Sequence, residues 1–145
     1  MDTDYFRQFV GKSSPPVRNE IEKGAIRKFA EAIGDANPLY RDESVAGGNI
    51  EAPPTFSRTF RYGQIPGLQL PSAGLIHADQ EFEYMRKIRA GDVLYASTIL
   101  KDVFEKSGKL GQMVFLVFEH NATDESGVAV VREQMTIIYR GREGE

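Results

Sequence analysis

The stretch Phe29–Ala46, FAEAIGDANPLYRDESVA, decides how this chain is read. Just upstream of it and into it, from about Lys23, apolar residues fall at Ile26, Phe29, Ala30 and Ile33. That is the i, i+3, i+4, i+7 spacing of one helical face, and Gly34 suits the left-handed cap that ends such a helix. Asp35, Asn37 and Pro38 follow as turn formers, since Asp and Asn side chains accept nearby backbone N–H groups and proline stops a helix. A carboxylate, an amide and the Tyr40 phenol therefore stand within six residues, directly after a helix stop.

Working outward, 145 residues predict one domain with a sizeable core. With 41% hydrophobic and 27% charged residues the composition is that of an ordinary globular protein. There is no apolar run of the roughly 20 residues a spanning helix requires, and Met1-Asp-Thr-Asp4 lacks the basic start of a signal peptide, so a cytoplasmic location is expected. The absence of cysteine excludes disulfides and thiolate chemistry, and two distant histidines argue against a metal site; no cofactor is expected. A net charge of -3 argues against nucleic acid as a partner.

Residues 1–16, ending in Ser13-Ser14-Pro15-Pro16, read as an N-terminal arm, and a short strand is expected near Val17–Ile21. Pro54 suits a first helical position and Phe56 and Phe60 share a face, which predicts a second helix up to Gly63. Four strands follow, at Leu75–Ile88, Asp92–Val103, Gly111–Ala122 and Val128–Arg140, with turns at 89–91, 105–108 and 124–127. In the first, Ile76, Ala78, Phe82 and Tyr84 alternate with His77, Asp79, Glu81 and Glu83, as on a sheet with one buried face. Met113–Phe118 is apolar on both faces and belongs at a sheet centre. A curved antiparallel sheet needs a filler for its concave side, and the Phe56/Phe60 helix is the one available, giving an α+β fold with a sheet wrapped around a central helix.

The run Gly34-Asp35-Ala36-Asn37-Pro38-Leu39-Tyr40, with Asp42 and Ala46 and the later Ile88-Arg-Ala-Gly91-Asp92, resembles the signature of the MaoC-like (R)-specific hydratase and dehydratase family, and especially its N-terminal FAS1-like dehydratase half. The resemblance implies a hot-dog fold and a 3-hydroxyacyl-thioester dehydratase or enoyl hydratase, with acyl-CoA or an acyl carrier protein thioester as substrate. It also implies pairing with an identical or different hot-dog chain. In that family an aspartate and a histidine move protons while a backbone N–H at the head of the central helix polarises the thioester carbonyl. By that resemblance Asp35 is a candidate catalytic residue, and Asn37, Pro54, Thr55, Phe56 and Phe60 are candidate substrate contacts.

This chain departs from the pattern twice. Tyr40 stands at the histidine position, and a phenol with its ordinary pKa near 10 is ionised in only about one molecule in a thousand at pH 7, so that its use as a base costs about 4 kcal/mol. Pro54, in Ala52-Pro53-Pro54, replaces the residue whose N–H faces the carbonyl, and proline has none; Thr55 or Phe56 is the available substitute. Together the changes imply a half that binds acyl chains but needs a partner for chemistry. A self-sufficient hydratase using Asp35 with Tyr40 or His77, and a non-catalytic acyl-thioester-binding homodimer, are the alternatives. Each residue also has a plainer role: Asp35 and Asn37 as turn residues, Tyr40 as a packed aromatic, His77 as a solvated or interface side chain beside Asp79, His120 as surface, and Arg86, Lys87 and Arg89 as a charged strand end rather than a phosphate site.

Overall fold

The computed structural model describes residues 2–45, 47–109 and 111–141; Met1, Leu110, residues 142–145 and Ala46 of the motif lie outside the described residues. Two helices, α1 (Thr3–Arg7) and α2 (Lys23–Ala32), accompany five strands: β1 (Val17–Glu20), β2 (Leu75–Tyr84), β3 (Val93–Gly108), β4 (Gly111–Thr123) and β5 (Ala129–Tyr139). The strands form one antiparallel sheet in the order β1-β3-β4-β5-β2. Strand β4 takes the middle because it is apolar on both sides: Val114, Leu116 and Phe118 are buried inside, while Met113, Phe115 and Val117 are half-buried outside. On that outer side Phe115 stacks on Phe104 at 4.8 Å, and Lys106 Nζ covers the Phe115 ring at 5.2 Å.

Helix α2 ends as the sequence predicts, with Gly34 at φ 72° and its N–H bonded to Glu31 O. The 105–108 turn moves outward: β3 continues through it and Gly108 pairs with Gly111. The helix expected from Pro54 to Gly63 is a single 3-10 turn, Phe56–Thr59. Its continuation is prevented by side chains that claim the following backbone groups. Asn19 Oδ1 accepts the Arg61 N–H (2.9 Å), Asn19 Nδ2 donates to Arg61 O (3.0 Å), and Ser14 Oγ donates to Tyr62 O (2.9 Å). Phe56 and Phe60 nonetheless pack inward, edge to face at 5.9 Å, in a cluster with Ile26, Ile50, Leu94, Ala96 and Val131.

Strand β2 departs from simple alternation. A bulge between His77 and Asp79 inverts the pattern, so that Ile76 lies opposite Ile138 on the outer face and His77 opposite Ile137 on the inner one, whereas Phe82 and Tyr84 lie opposite the inward Glu133 and Val131. As a sheet edge, β2 keeps even its apolar residues open, with Ile76 52% exposed.

The N-terminal arm is bound into the core. Asp2 caps α1 through the Tyr5 N–H, and Phe6, fully buried, meets Tyr139 in a second cluster with Phe9, Leu100, Leu116 and Phe118. Ser13-Ser14 then lies along β3, where Ser14 N–H donates to Thr98 O at 2.8 Å. Gly63 holds this junction: its φ is 78°, and a Cβ there would sit 2.8 Å from Pro15 O and 3.0 Å from Ser14 Oγ. Gly63→Ala is therefore expected to cost about 2 kcal/mol or more, from the left-handed backbone and the clash, and to lower the thermal unfolding midpoint by several degrees in calorimetry.

Candidate functional site

After α2 the chain makes two nested side-chain turns. Asp35 Oδ1 accepts the Asn37 N–H (3.0 Å), and Asn37 Oδ1 accepts the Leu39 N–H (3.0 Å), capping the 3-10 turn Pro38–Tyr40. Asp42 repeats the device with Ser44, whose hydroxyl and N–H bonds hold the Asp42 carboxyl below its ordinary value. Glu43 then ties the loop to α2 through Lys23 (3.0 Å) and Arg27 (3.4 Å).

These turns place Asn37, Leu39 and Tyr40 on one wall of a cavity of about 510 Å³, with Ala52, Pro53 and Pro54 on another and Tyr84 and Ile88 closing it. Three sequence candidates thus converge: Asn37, Tyr40 and Pro54. Asp35 is not among the lining residues, and its carboxylate serves the turn. Thr55 is exposed at the head of the 3-10 turn, and the Phe56 N–H is taken by Pro53 O (2.9 Å). Phe56 and Phe60 are core side chains that line a different, more polar cavity beside β1. His77 is exposed on β2, with Nε2 2.9 Å from Asp79 O, and the Asp79 carboxylate accepts the Thr136 N–H at the bulge.

At the cavity mouth the basic run is already matched. Arg86 forks onto Asp92 (2.8 Å), and Lys87 and Arg89 reach Glu51 at 3.2 and 3.8 Å. The second phenol of the cavity, Tyr84, is pushed above its ordinary value by partial burial, and the Glu133 charge adds to it. A cavity whose lining holds no histidine and whose one carboxylate, Glu51, is ion-paired offers apolar walls but is poorly equipped to move protons.

Residues 8–133 match the family described as the FAS1-like, dehydratase domain region. The chain belongs to this FAS1-like dehydratase family. Among relatives of the FAS1-like chain, the UPF0336 protein SCO4636 of Streptomyces coelicolor is 36% identical, with 94% of this chain and 96% of that protein covered. The UPF0336 protein of Thermobifida fusca is 33% identical over 93% of each. Solved structures give the same hot-dog fold. The HadBC (3R-hydroxyacyl-ACP dehydratase) complex of Mycobacterium tuberculosis matches at TM-score 0.78 and 24% identity, over 90% of this chain and 96% of that one. The ChsH1-ChsH2 complex of the same organism matches at 0.78 and 23%, over 98% and 97%. The (R)-hydratase of A. caviae matches at 0.64 and 18%, over 88% and 94%. Among the described residues no helix is long and apolar enough to cross a membrane, and no three His, Asp or Glu side chains gather as a metal site would require.

Sequence reading missed the most unusual polar feature of this FAS1-like domain. Glu133 is fully buried on the concave side of the sheet. Ser57 Oγ donates to its Oε1, Tyr62 Oη lies 3.1 Å from the same oxygen, and Gln80 Nε2 (3.2 Å) and Arg58 (3.5 Å) address Oε2. Burial pushes the carboxyl up, but His120, Ser57, Tyr62 and the Arg58 charge outweigh it and hold it below the ordinary 4.5. Burial first, then the Glu133 charge, drive the Tyr62 hydroxyl far up. His120, read as surface, is buried directly opposite Glu133 in the β4–β5 ladder and stacks on Tyr62 at 4.3 Å. The signal lay in phase: His120 falls in step with Val114, Leu116, Phe118 and Ala122, and Glu133 with Val131, on the inward face.

Because its folded-state value is depressed, Glu133 contributes stability above its unfolded value and loses it as pH falls below about 4.5. Thermal midpoints should drop through that window in the native chain and drop less in Glu133→Gln. Glu133→Ala, which removes the buried acceptor of Ser57 Oγ and Gln80 Nε2, is expected to cost about 3 kcal/mol at neutral pH in urea unfolding.

Proposed function

We propose that this chain is the substrate-binding, catalytically impaired half of a 3-hydroxyacyl-thioester dehydratase or (R)-specific enoyl-thioester hydratase, completed by a second hot-dog chain that carries the acid–base pair. The observation that carries this reading is the cavity that Tyr40 and Pro54 share. Both exchanges at the family's catalytic positions face one space, and the Asp35 carboxylate beside it is committed to the Asn37 N–H. The walls that remain, Leu39, Ala52, Pro53 and Ile88, suit an acyl chain, and Arg86 and Lys87 at its mouth suit the phosphates of coenzyme A or of a carrier protein if they exchange their Asp92 and Glu51 partners. A self-sufficient enzyme is less well supported, because His77 stands on the exposed edge strand and does not line the cavity.

The open edge supports a partner. Leu75, Ile76, Tyr84 and Met85 are 36%, 52%, 39% and 41% exposed along or just beyond β2, and a sheet edge with apolar side chains is a site for adding another sheet. The solved complexes HadBC and ChsH1-ChsH2 are assemblies of this kind of chain.

Purified alone, the chain is expected to leave enoyl-CoA absorbance unchanged, as is Tyr40→His, since Pro54 still lacks a donor. Mixed with a hot-dog chain bearing the intact Asp-x-Asn-Pro-x-His run, it should raise the hydration rate at least tenfold over that partner alone. Hydration by the chain alone, abolished by Asp35→Asn, would refute the reading. In sedimentation, Ile76→Lys with Met85→Lys is expected to weaken association at least tenfold while leaving the fold intact, because both side chains already face solvent in the isolated chain.

A further inference from the structure

A third cavity, of about 500 Å³, shares no lining residue with the Tyr40–Pro54 cavity. Its walls are largely apolar, from Ile65, Leu68, Leu70, Phe118 and Met135, and the His120 imidazole stands among them. That imidazole is enclosed by the fold, with its side chain only 9% exposed. Its Nδ1 is fully buried without a hydrogen bond among the described residues and lies 3.8 Å from Glu133 Oε2. The ring is fixed in orientation by the stack on Tyr62 and by its ladder neighbours, Thr98 on β3 and Glu133 on β5.

We propose that this cavity is a binding site for a small, largely apolar ligand carrying a hydroxyl group, held through that hydroxyl by His120 Nε2. The chemistry follows from the ring. A hydroxyl both donates and accepts, so it pairs with Nε2 whichever imidazole nitrogen carries the hydrogen. No hydrogen bond to Nε2 is made among the described residues, and with Nδ1 buried toward Glu133 the opposite edge of the ring is the part left to line the cavity. A hydrocarbon filling the space would strand Nε2, whereas a hydroxyl satisfies it. A carboxylate ligand is disfavoured, since it would set a second negative charge near enclosed Glu133. The cavity has the size of a small-molecule site, and a few placed polar groups among apolar walls, here His120 with Thr98, Gln64 and Gln69, are the usual way such a site fixes orientation. This site does not depend on the dehydratase reading, because its residues and its ligand are separate from the thioester cavity.

The test uses the intact chain with 1-hexanol and 1-chlorohexane, probes of similar length of which only the first donates a hydrogen bond. By NMR titration the wild type should bind 1-hexanol about tenfold more tightly, and the His120 Nε2 resonance should move with 1-hexanol and not with 1-chlorohexane. His120→Phe, which keeps a ring against Tyr62, should bind both equally. Leu68→Trp, which fills the cavity at its rim, should weaken both and leave the Nε2 resonance in place on addition of 1-hexanol. Equal affinities in the wild type, a preference for 1-hexanol that survives in His120→Phe, or binding undiminished in Leu68→Trp would overturn the assignment. Should His120→Phe fail to fold, the Nε2 shift and the Leu68→Trp titration decide it alone.

Discussion

Glu133 is enclosed on every side, and an enclosed carboxylate has to be supplied with donors before the sheet can close over it. Those donors come from separate parts of the chain: Ser57 and Arg58 from the 3-10 turn, Tyr62 from the segment after it, and Gln80 from β2. The carboxylate therefore pins the 56–62 segment against the concave side of the sheet at a fixed depth. It also explains why the interior is two apolar clusters rather than one. Thr98, His120 and Glu133 form a row across β3, β4 and β5, with the Phe56 cluster on one side and the Phe6 cluster on the other. A long helix lying over that row would have to present polar groups at each crossing; a single short turn needs to supply only Ser57 and Arg58.

Features governed by neighbours in the chain were legible in the sequence. Helix α2 and its glycine stop follow from local spacing, and the central place of β4 from its apolar residues on both faces. The family signature was legible for the same reason, because Asp35 and Asn37 act on backbone groups two residues ahead. What escaped depends on distant partners. The helix expected after Pro54 is cut short by Asn19 and Ser14, some 40 residues away in the chain. The N-terminal arm, unremarkable as a sequence, is fixed by burial of Phe6 against Tyr139. In the candidate site, Tyr40 and Pro54 line one cavity, whereas the Asp35 carboxylate is engaged in a turn and His77 lies at the bulge of β2.

Two of the cavities differ in what lines them. The one at Tyr40 has apolar walls and no histidine among its lining residues, while the one at His120 sets an enclosed imidazole beside apolar walls. Tyr84 lines the first and lies opposite Val131, two residues along β5 from Glu133.

The bulge in β2 bears on growth as well as on register. An edge strand with a uniform face can template copy after copy, and chains of such edges run on without limit. Here the break at His77–Asp79 turns Leu75 and His77 to the side that Phe82 and Tyr84 occupy and sends Ile76 to the other, so a regular strand laid along this edge matches one half and mismatches the other. Only a counterpart with a compensating irregularity fits along the full length, which favours a closed pair over an open-ended fibre.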